Sequence, residues 1–253
     1  AISSAFFGVP SFGFGMLLGS NVADLTLIFA IIVLYAGRGL KIESKILKNN
    51  SVYPFMLFLP LVLGFDGYFS RAEGVALIIA GMVFYYFTLK NRVDGAMTFN
   101  GGNDKYKSFF MLLGSMAILL IGSHFVVTSA KALATYLGVN PILIGMLVVG
   151  LGTTVPELFF SLKAVKGRDD SLAVGDILGT VLADATIVVG VLALINPFTF
   201  SQKIIYVAGV FMVVASFLLF HFMRSGRVLS KKEAYMLLFF WLSFVLVEFF
   251  TSR

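Results

Sequence analysis

Eight apolar runs of about 20 residues, joined by short polar turns, constrain this chain more than any other feature. They lie at about 12–36, 52–69, 72–90, 108–130, 140–162, 171–194, 203–223 and 233–250. A run of that length matches the hydrocarbon thickness of a bilayer, where every backbone N–H and C=O must be satisfied internally. The expected fold class is therefore an all-α polytopic membrane protein. Apolar residues make up 59% of the 253 and charged residues 13%, and the mean hydropathy is +0.97, which excludes an ordinary soluble domain. The chain has no cysteine, which removes disulfides and thiolate metal sites.

The net charge of +6 has a location that explains it without nucleic acid. Arg38, Lys41, Lys45 and Lys48 form a first cluster, and Lys90, Arg92, Lys105 and Lys107 a second. Lys163, Lys166 and Arg168 follow, then Arg224, Arg227, Lys231 and Lys232, leaving only Arg71, Lys131, Lys203 and Arg253 in the alternate turns. By the positive-inside rule the four clusters are cytoplasmic and the C-terminus lies outside. The expected location is the cell membrane, and the lipid bilayer is an expected partner.

Two of the apolar runs carry carboxylates. Gly19-Ser20-Asn21-Val22-Ala23-Asp24 and Gly179-Thr180-Val181-Leu182-Ala183-Asp184 stand 160 positions apart, and Ser11, Gly15 and Thr26 match Ser171, Gly175 and Thr186 at the same offset. A charge at mid-membrane costs about 2.5–3.5 kcal/mol on insertion scales, so such residues are retained for function. The segment before the first copy, 7–11, is uncharged, whereas its counterpart 163–171 carries Lys163, Lys166 and Arg168. The copies are thus expected on opposite sides, as in transporters built from inverted repeats. Before the second copy stands Gly152-Thr153-Thr154-Val155-Pro156-Glu157; the same offset puts a first-copy Glu about four residues ahead of Ala1. The chain is therefore expected to begin partway along a helix, and to be inactive unless the preceding segment is supplied.

Three hydroxyl–carboxylate pairs share a spacing of four: Ser20 with Asp24, Thr153 with Glu157, and Thr180 with Asp184. On a helix, residues four apart present their oxygens on one face. Carboxylates and hydroxyls suit hard cations, and calcium accepts a flexible set of six to eight oxygens where magnesium does not. Gly150, Gly152 and Pro156 around Glu157, and glycines five and nine residues before each Asp, suit either a cavity or close helix packing. Asp169 and Asp170 read as N-capping residues, Glu248 as a snorkelling side chain near the outer end of its span, and His124 and His221 as packed or interfacial.

Gly-Thr-Thr-Val-Pro-Glu157 followed by Gly175-Asp176-Ile-Leu-Gly-Thr-Val-Leu-Ala-Asp184 resembles the second α-repeat of the sodium/calcium exchanger family, within the cation/calcium exchanger superfamily. Ser20 and Asp24 resemble the second half of the first α-repeat. The resemblance implies an inverted-repeat fold of five plus five helices, with helices three to ten and the end of helix two present. Residues 1–90 would be the rest of the first half, with a partial α-repeat at 1–36. Residues 91–107 would be a cytoplasmic loop, and 108–253 the second half, with its α-repeat at 140–194. The implied ligands are Glu157 and Asp184, shared between calcium and sodium, with oxygens from Ser20, Thr153, Thr154 and Thr180. Asp24 stands where the family often has Asn, and Asp176 where Asn is usual. The implied function is antiport of sodium for calcium by alternating access, with transported ions rather than a cofactor. Proton/calcium and potassium-dependent exchange are the neighbouring alternatives. An intramembrane aspartyl protease, which also needs two membrane aspartates, is the alternative from another class.

Overall fold

A computed structural model describes residues 1–41, 52–90, 105–226 and 228–251. Among the described residues a short helix, α1 (Ile2–Phe6), precedes eight helical rods. These are α2 (Pro10–Ala36), α3 (Val52–Leu63), α4 (Arg71–Lys90), α5 (Lys105–Leu137), α6 (Pro141–Lys166), α7 (Asp170–Ile195), α8 (202–226) and α9 (Lys231–Thr251). Among the described residues six rods are long and apolar enough to cross a membrane. The expected runs at 52–69 and 108–130 are helical as well. Val52–Asp66 is shorter because the rod tightens into a 3-10 turn at Gly64–Asp66, and α5 extends over 33 residues. The expected loop at 91–107 lies outside the described residues up to position 104.

Four two-residue strands reveal how the rods are arranged. β1 (Leu40–Lys41), after α2, pairs antiparallel with β4 (Val228–Leu229), just before α9. β2 (Tyr68–Phe69), before α4, pairs antiparallel with β3 (Phe198–Thr199), after α7. The end of α2 therefore meets the start of α9, and the end of α7 meets the start of α4. The start of α7 is tied to the end of α2 by Arg38, whose guanidinium holds Asp170 at 2.6 and 2.7 Å. Hence α2 and α7 cross the molecule in opposite directions.

The 160-residue offset runs well past the matched aspartates. Ser70 and Glu73 form a capping box at the start of α4, with Ser70 N donating to Glu73 Oε2 at 2.7 Å. Ser230 and Glu233 form the same box at the start of α9, again at 2.7 Å. β2 and β4 also correspond at this offset. Thr26 Oγ1 donates to Val22 O at 2.5 Å, and Thr186 Oγ1 to Leu182 O at 2.7 Å. Such back-bonding satisfies a buried hydroxyl within its own helix.

The two ends are closed by different chemistry. Arg38, Lys41, Arg168, Asp169 and Asp170 surround a cavity of about 390 Å³ at the basic end. At the opposite end Phe14, Phe69, Phe198 and Phe200 cluster with ring centroids 4.9–6.0 Å apart. The core between them is built mainly from α2 and α7, whose residues from Phe14 to Val33 and from Ala173 to Ala193 dominate the buried set. α5 touches the remainder through a separate small patch, Val127, Ala130 and Ala134 against Phe12 and Ile144.

Candidate ion-binding site

Asp24 and Asp184 each open a five-residue π-helical segment, Asp24–Ile28 in α2 and Asp184–Val188 in α7. A π-bulge widens the turn and loosens the ladder, and it commonly marks a functional position. Ser20 and Thr180 stand one turn earlier on uninterrupted α-helix, so each shares a face with its aspartate. On α6 the geometry differs. The rod runs as α-helix to Ile144, as π-helix through Gly145–Val149, and as α-helix again to Thr153, and then breaks at Thr154. Val155–Lys166 restarts with Pro156 at its beginning and Glu157 in its first turn. Thr153 and Glu157 are thus separated by a break, and it is Thr154 that is buried while Thr153 is exposed. The restart has a physical benefit for Glu157, because the positive end of the half-helix faces its carboxylate.

The three rods are brought together by close backbone approach. A Cβ on Gly19 would overlap the Met146 carbonyl of α6, and one on Gly150 would lie 3.0 Å from Met16 O and 3.1 Å from Ser20 N. Gly15 meets Ile142 in the same way, four residues earlier on both rods, so α2 and α6 run parallel through the crossing. Packing against α6 therefore accounts for Gly15 and Gly19.

Asp24 is 1% exposed, and its Oδ1 is buried without a hydrogen-bond partner; Glu157 Oε2 is buried in the same condition. A buried carboxylate oxygen with no donor is costly unless a cation or donor reaches it. Asp24 interacts electrostatically with Glu157, Asp184 and Asp176, and Asp184 with Glu157, so the acids form one field. Among the described residues no three acidic or histidine side chains close to the distances of a completed metal shell. The neutral oxygens are positioned by their own backbones: Ser20 Oγ donates to Leu17 O at 3.0 Å, Thr153 Oγ1 to Gly150 O at 2.7 Å, and Thr154 Oγ1 to Leu151 O at 2.9 Å. A hydroxyl whose proton is committed to the backbone keeps its lone pairs free to face a cation.

Several neighbours were not legible as site residues. Tyr53 on α3 donates its phenol to Leu178 O at 2.6 Å, and Tyr85 on α4 donates to Gly179 O at 2.6 Å. Asn21 is 1% exposed, with Nδ2 on Met212 Sδ at 3.7 Å and Oδ1 unpartnered. Asp169 does cap α7, accepting from Leu172 N at 3.0 Å, but Asp170 instead serves the ion pair with Arg38. Glu248 does not snorkel, because its side chain is only 5% exposed on the inner face of α9. His124 is exposed and rests against Phe7, ring centroids 4.5 Å apart.

The whole chain, and not only these motifs, resembles known proteins. It is 26% identical over 232 residues to an uncharacterized membrane protein of Methanocaldococcus jannaschii, covering 89% of this chain and 73% of that one. It is 27% identical over 198 residues to the inner membrane protein YrbG of Escherichia coli, covering 72% and 60%. It is 26% identical over 144 residues to a sodium/calcium exchanger of Methanosarcina acetivorans, covering 57% and 41%. The fold matches solved structures of the sodium-calcium exchanger NCX_Mj; with the form soaked in 2.5 mM Na+ and 0.1 mM Ca2+ the TM-score is 0.70 at 22% identity, over 96% of this chain and 78% of that one. The model of the sodium/calcium exchanger protein family matches residues 1–90 and 107–250. Members of that family are transporters, not enzymes, which sets aside the protease alternative. The chain belongs to the sodium/calcium exchanger family.

Proposed function

We propose that this protein exchanges sodium for calcium across the membrane by alternating access, with the ions held among α2, α6 and α7. One observation carries the reading: Asp24 and Glu157 each keep a buried carboxylate oxygen without a protein donor, in a field shared with Asp184. A cation is the natural partner for such oxygens. Asp24, Glu157 and Asp184 are the charged ligands, and Ser20, Thr153, Thr154 and Thr180 supply neutral oxygens. The set is hard and flexible, as calcium and sodium require. Because the two ions draw on the same carboxylates, occupancy by one requires departure of the other, and that competition couples the fluxes.

α5 is the element suited to move, since among the described residues it rests on the remainder through a small patch at Phe12 and Ile144 and the stacking of His124 on Phe7. The end bearing Arg38, Lys41 and Arg168 is cytoplasmic on this reading, and the membrane is that of the cell. The division into inverted halves at 1–90 and 108–253, joined by the loop at 91–107, is proposed with it. The names of relatives support the ion pair, one being a sodium/calcium exchanger.

The test is calcium flux in proteoliposomes with imposed sodium, potassium or proton gradients. Sodium-driven calcium uptake is expected, and it should be lost in Glu157→Gln and Asp184→Asn while both variants remain folded. Uptake driven by a pH gradient alone would instead support proton coupling, the second reading, to which the added carboxylate at Asp24 lends itself.

A further inference from the structure

We propose that Tyr53 and Tyr85 are positioning residues that hold the α7 half of the ion site in register, a task done for α2 by direct backbone contact with α6. Their phenols come from two different rods, α3 and α4, and donate to consecutive carbonyls, Leu178 O and Gly179 O, each at 2.6 Å. Those carbonyls immediately precede Thr180 and stand little more than one turn before Asp184, where the π-segment begins. Tyr53 is 1% exposed and is fixed in turn by stacking on Phe220, centroids 5.0 Å apart. The phenols interact electrostatically with each other; Tyr53 also does so with Asp24, and Tyr85 with Asp184. Both phenols therefore lie within electrostatic reach of the acids.

The internal repeat supplies the contrast. The positions equivalent to Tyr53 and Tyr85 in the second half are Val213 and Val245, which have nothing to donate. On the equivalent stretch of α2, Gly19 is pressed against the Met146 backbone. A helix carbonyl that takes a second donor tilts outward from its ladder, and a tilt one turn before Asp184 changes where Thr180 and Asp184 point. Misplacement of site oxygens weakens binding without touching the ligands themselves.

The proposal rests on the ion site set out above, and the experiment separates the two. Calcium binding to the purified full-length protein is measured calorimetrically, and sodium-driven calcium flux in proteoliposomes, for Tyr85→Phe, Tyr53→Phe, Tyr86→Phe and Asp184→Asn, with thermal midpoints for each. Removing one phenol oxygen from Tyr85 should raise the calcium dissociation constant and the half-saturating concentration about 5- to 20-fold. The maximal flux should stay within about 2-fold and the midpoint near wild type, and Tyr53→Phe should act in the same direction. Tyr86→Phe, on an exposed neighbour that holds no carbonyl, should be silent. Wild-type calcium affinity in both Tyr85→Phe and Tyr53→Phe, with Asp184→Asn inactive, would overturn the positioning role alone. Wild-type affinity and flux in Asp184→Asn would overturn the site and this role with it. A fall in affinity matched by an equal fall in maximal flux and midpoint would make the phenols structural and overturn the proposal too.

Discussion

Asp24 and Asp184 occupy the same place in two helices that run in opposite directions: each follows a glycine by five residues, a hydroxyl residue by four, and each starts a π-segment. If both carboxylates serve one ion site, replacing Asp24 with the amide common in the family should be tolerated. Asp24→Asn removes one like charge from the field around Glu157 and Asp184 and keeps an oxygen ligand. Coupled calcium flux is expected to persist, with calcium affinity shifted by about tenfold, the equivalent of ~1.4 kcal/mol. Flux assays under a sodium gradient read this directly; complete loss in Asp24→Asn would remove Asp24 from a tunable role and make its charge obligatory.

Gly19 should not tolerate even a methyl group. An added Cβ there meets the Met146 backbone. Gly19→Ala is expected to destabilise by about 1–3 kcal/mol, the range for overpacking against a backbone that cannot give way. Thermal unfolding in detergent reads this directly, and a midpoint equal to wild type would contradict the crossing of α2 and α6.

How much of this was legible in the sequence differs by length scale. The rods follow from apolar runs, and the acids of the site from their misfit with those runs. The 160-residue repeat was readable near Asp24 and Asp184, where small residues and acids leave few alternatives. Its continuation through Ser70/Glu73 and Ser230/Glu233 was equally present, but a lone capping box is too common a pattern to stand out. Other features depend on tertiary approach. Nothing local distinguishes Tyr85, which donates to Gly179, from Tyr86 beside it. Arg38 and Asp170 are 132 residues apart, and α-helical spacing says nothing of their meeting. Glu248 faces inward on α9, a direction that its position along the span does not give. The spacing of Thr153 and Glu157 suggests a shared face, but the rod breaks between them at Thr154, which is buried while Thr153 is exposed.

The Arg38–Asp170 pair should be worth more than an ordinary surface salt bridge. Its geometry is bidentate, Asp170 is 5% exposed, and Lys41 N adds a third hydrogen bond at 2.9 Å. Arg38 is partly open to solvent, which limits the gain. Arg38→Met strands a buried carboxylate and is expected to cost about 2 kcal/mol, whereas Arg38→Met with Asp170→Asn should recover part of that loss. A double-mutant cycle on thermal stability with a coupling of about 1 kcal/mol or more agrees with this; additive effects would assign the pair no role in joining the two α-repeats.

Orientation can be tested with little interference, because the chain has no cysteine of its own. β1 and β4 bring Lys41 close to the start of α9, and Arg38 brings Asp170 to the same end, so three of the four basic clusters gather there. Arg71 opens α4 at the opposite end, beside β2 and β3. In inside-out vesicles a membrane-impermeant thiol reagent should therefore label Lys41→Cys and Lys232→Cys and spare Arg71→Cys, and right-side-out vesicles should show the reverse. All three positions lie outside the ion site, so flux through the labelled variants can be followed in the same preparation. Labelling of Lys41→Cys and Arg71→Cys from one side would be incompatible with α3 crossing the membrane between them. Labelling of all three in the reversed sense would keep the fold and invert the chain, placing the basic end outside against the charge rule.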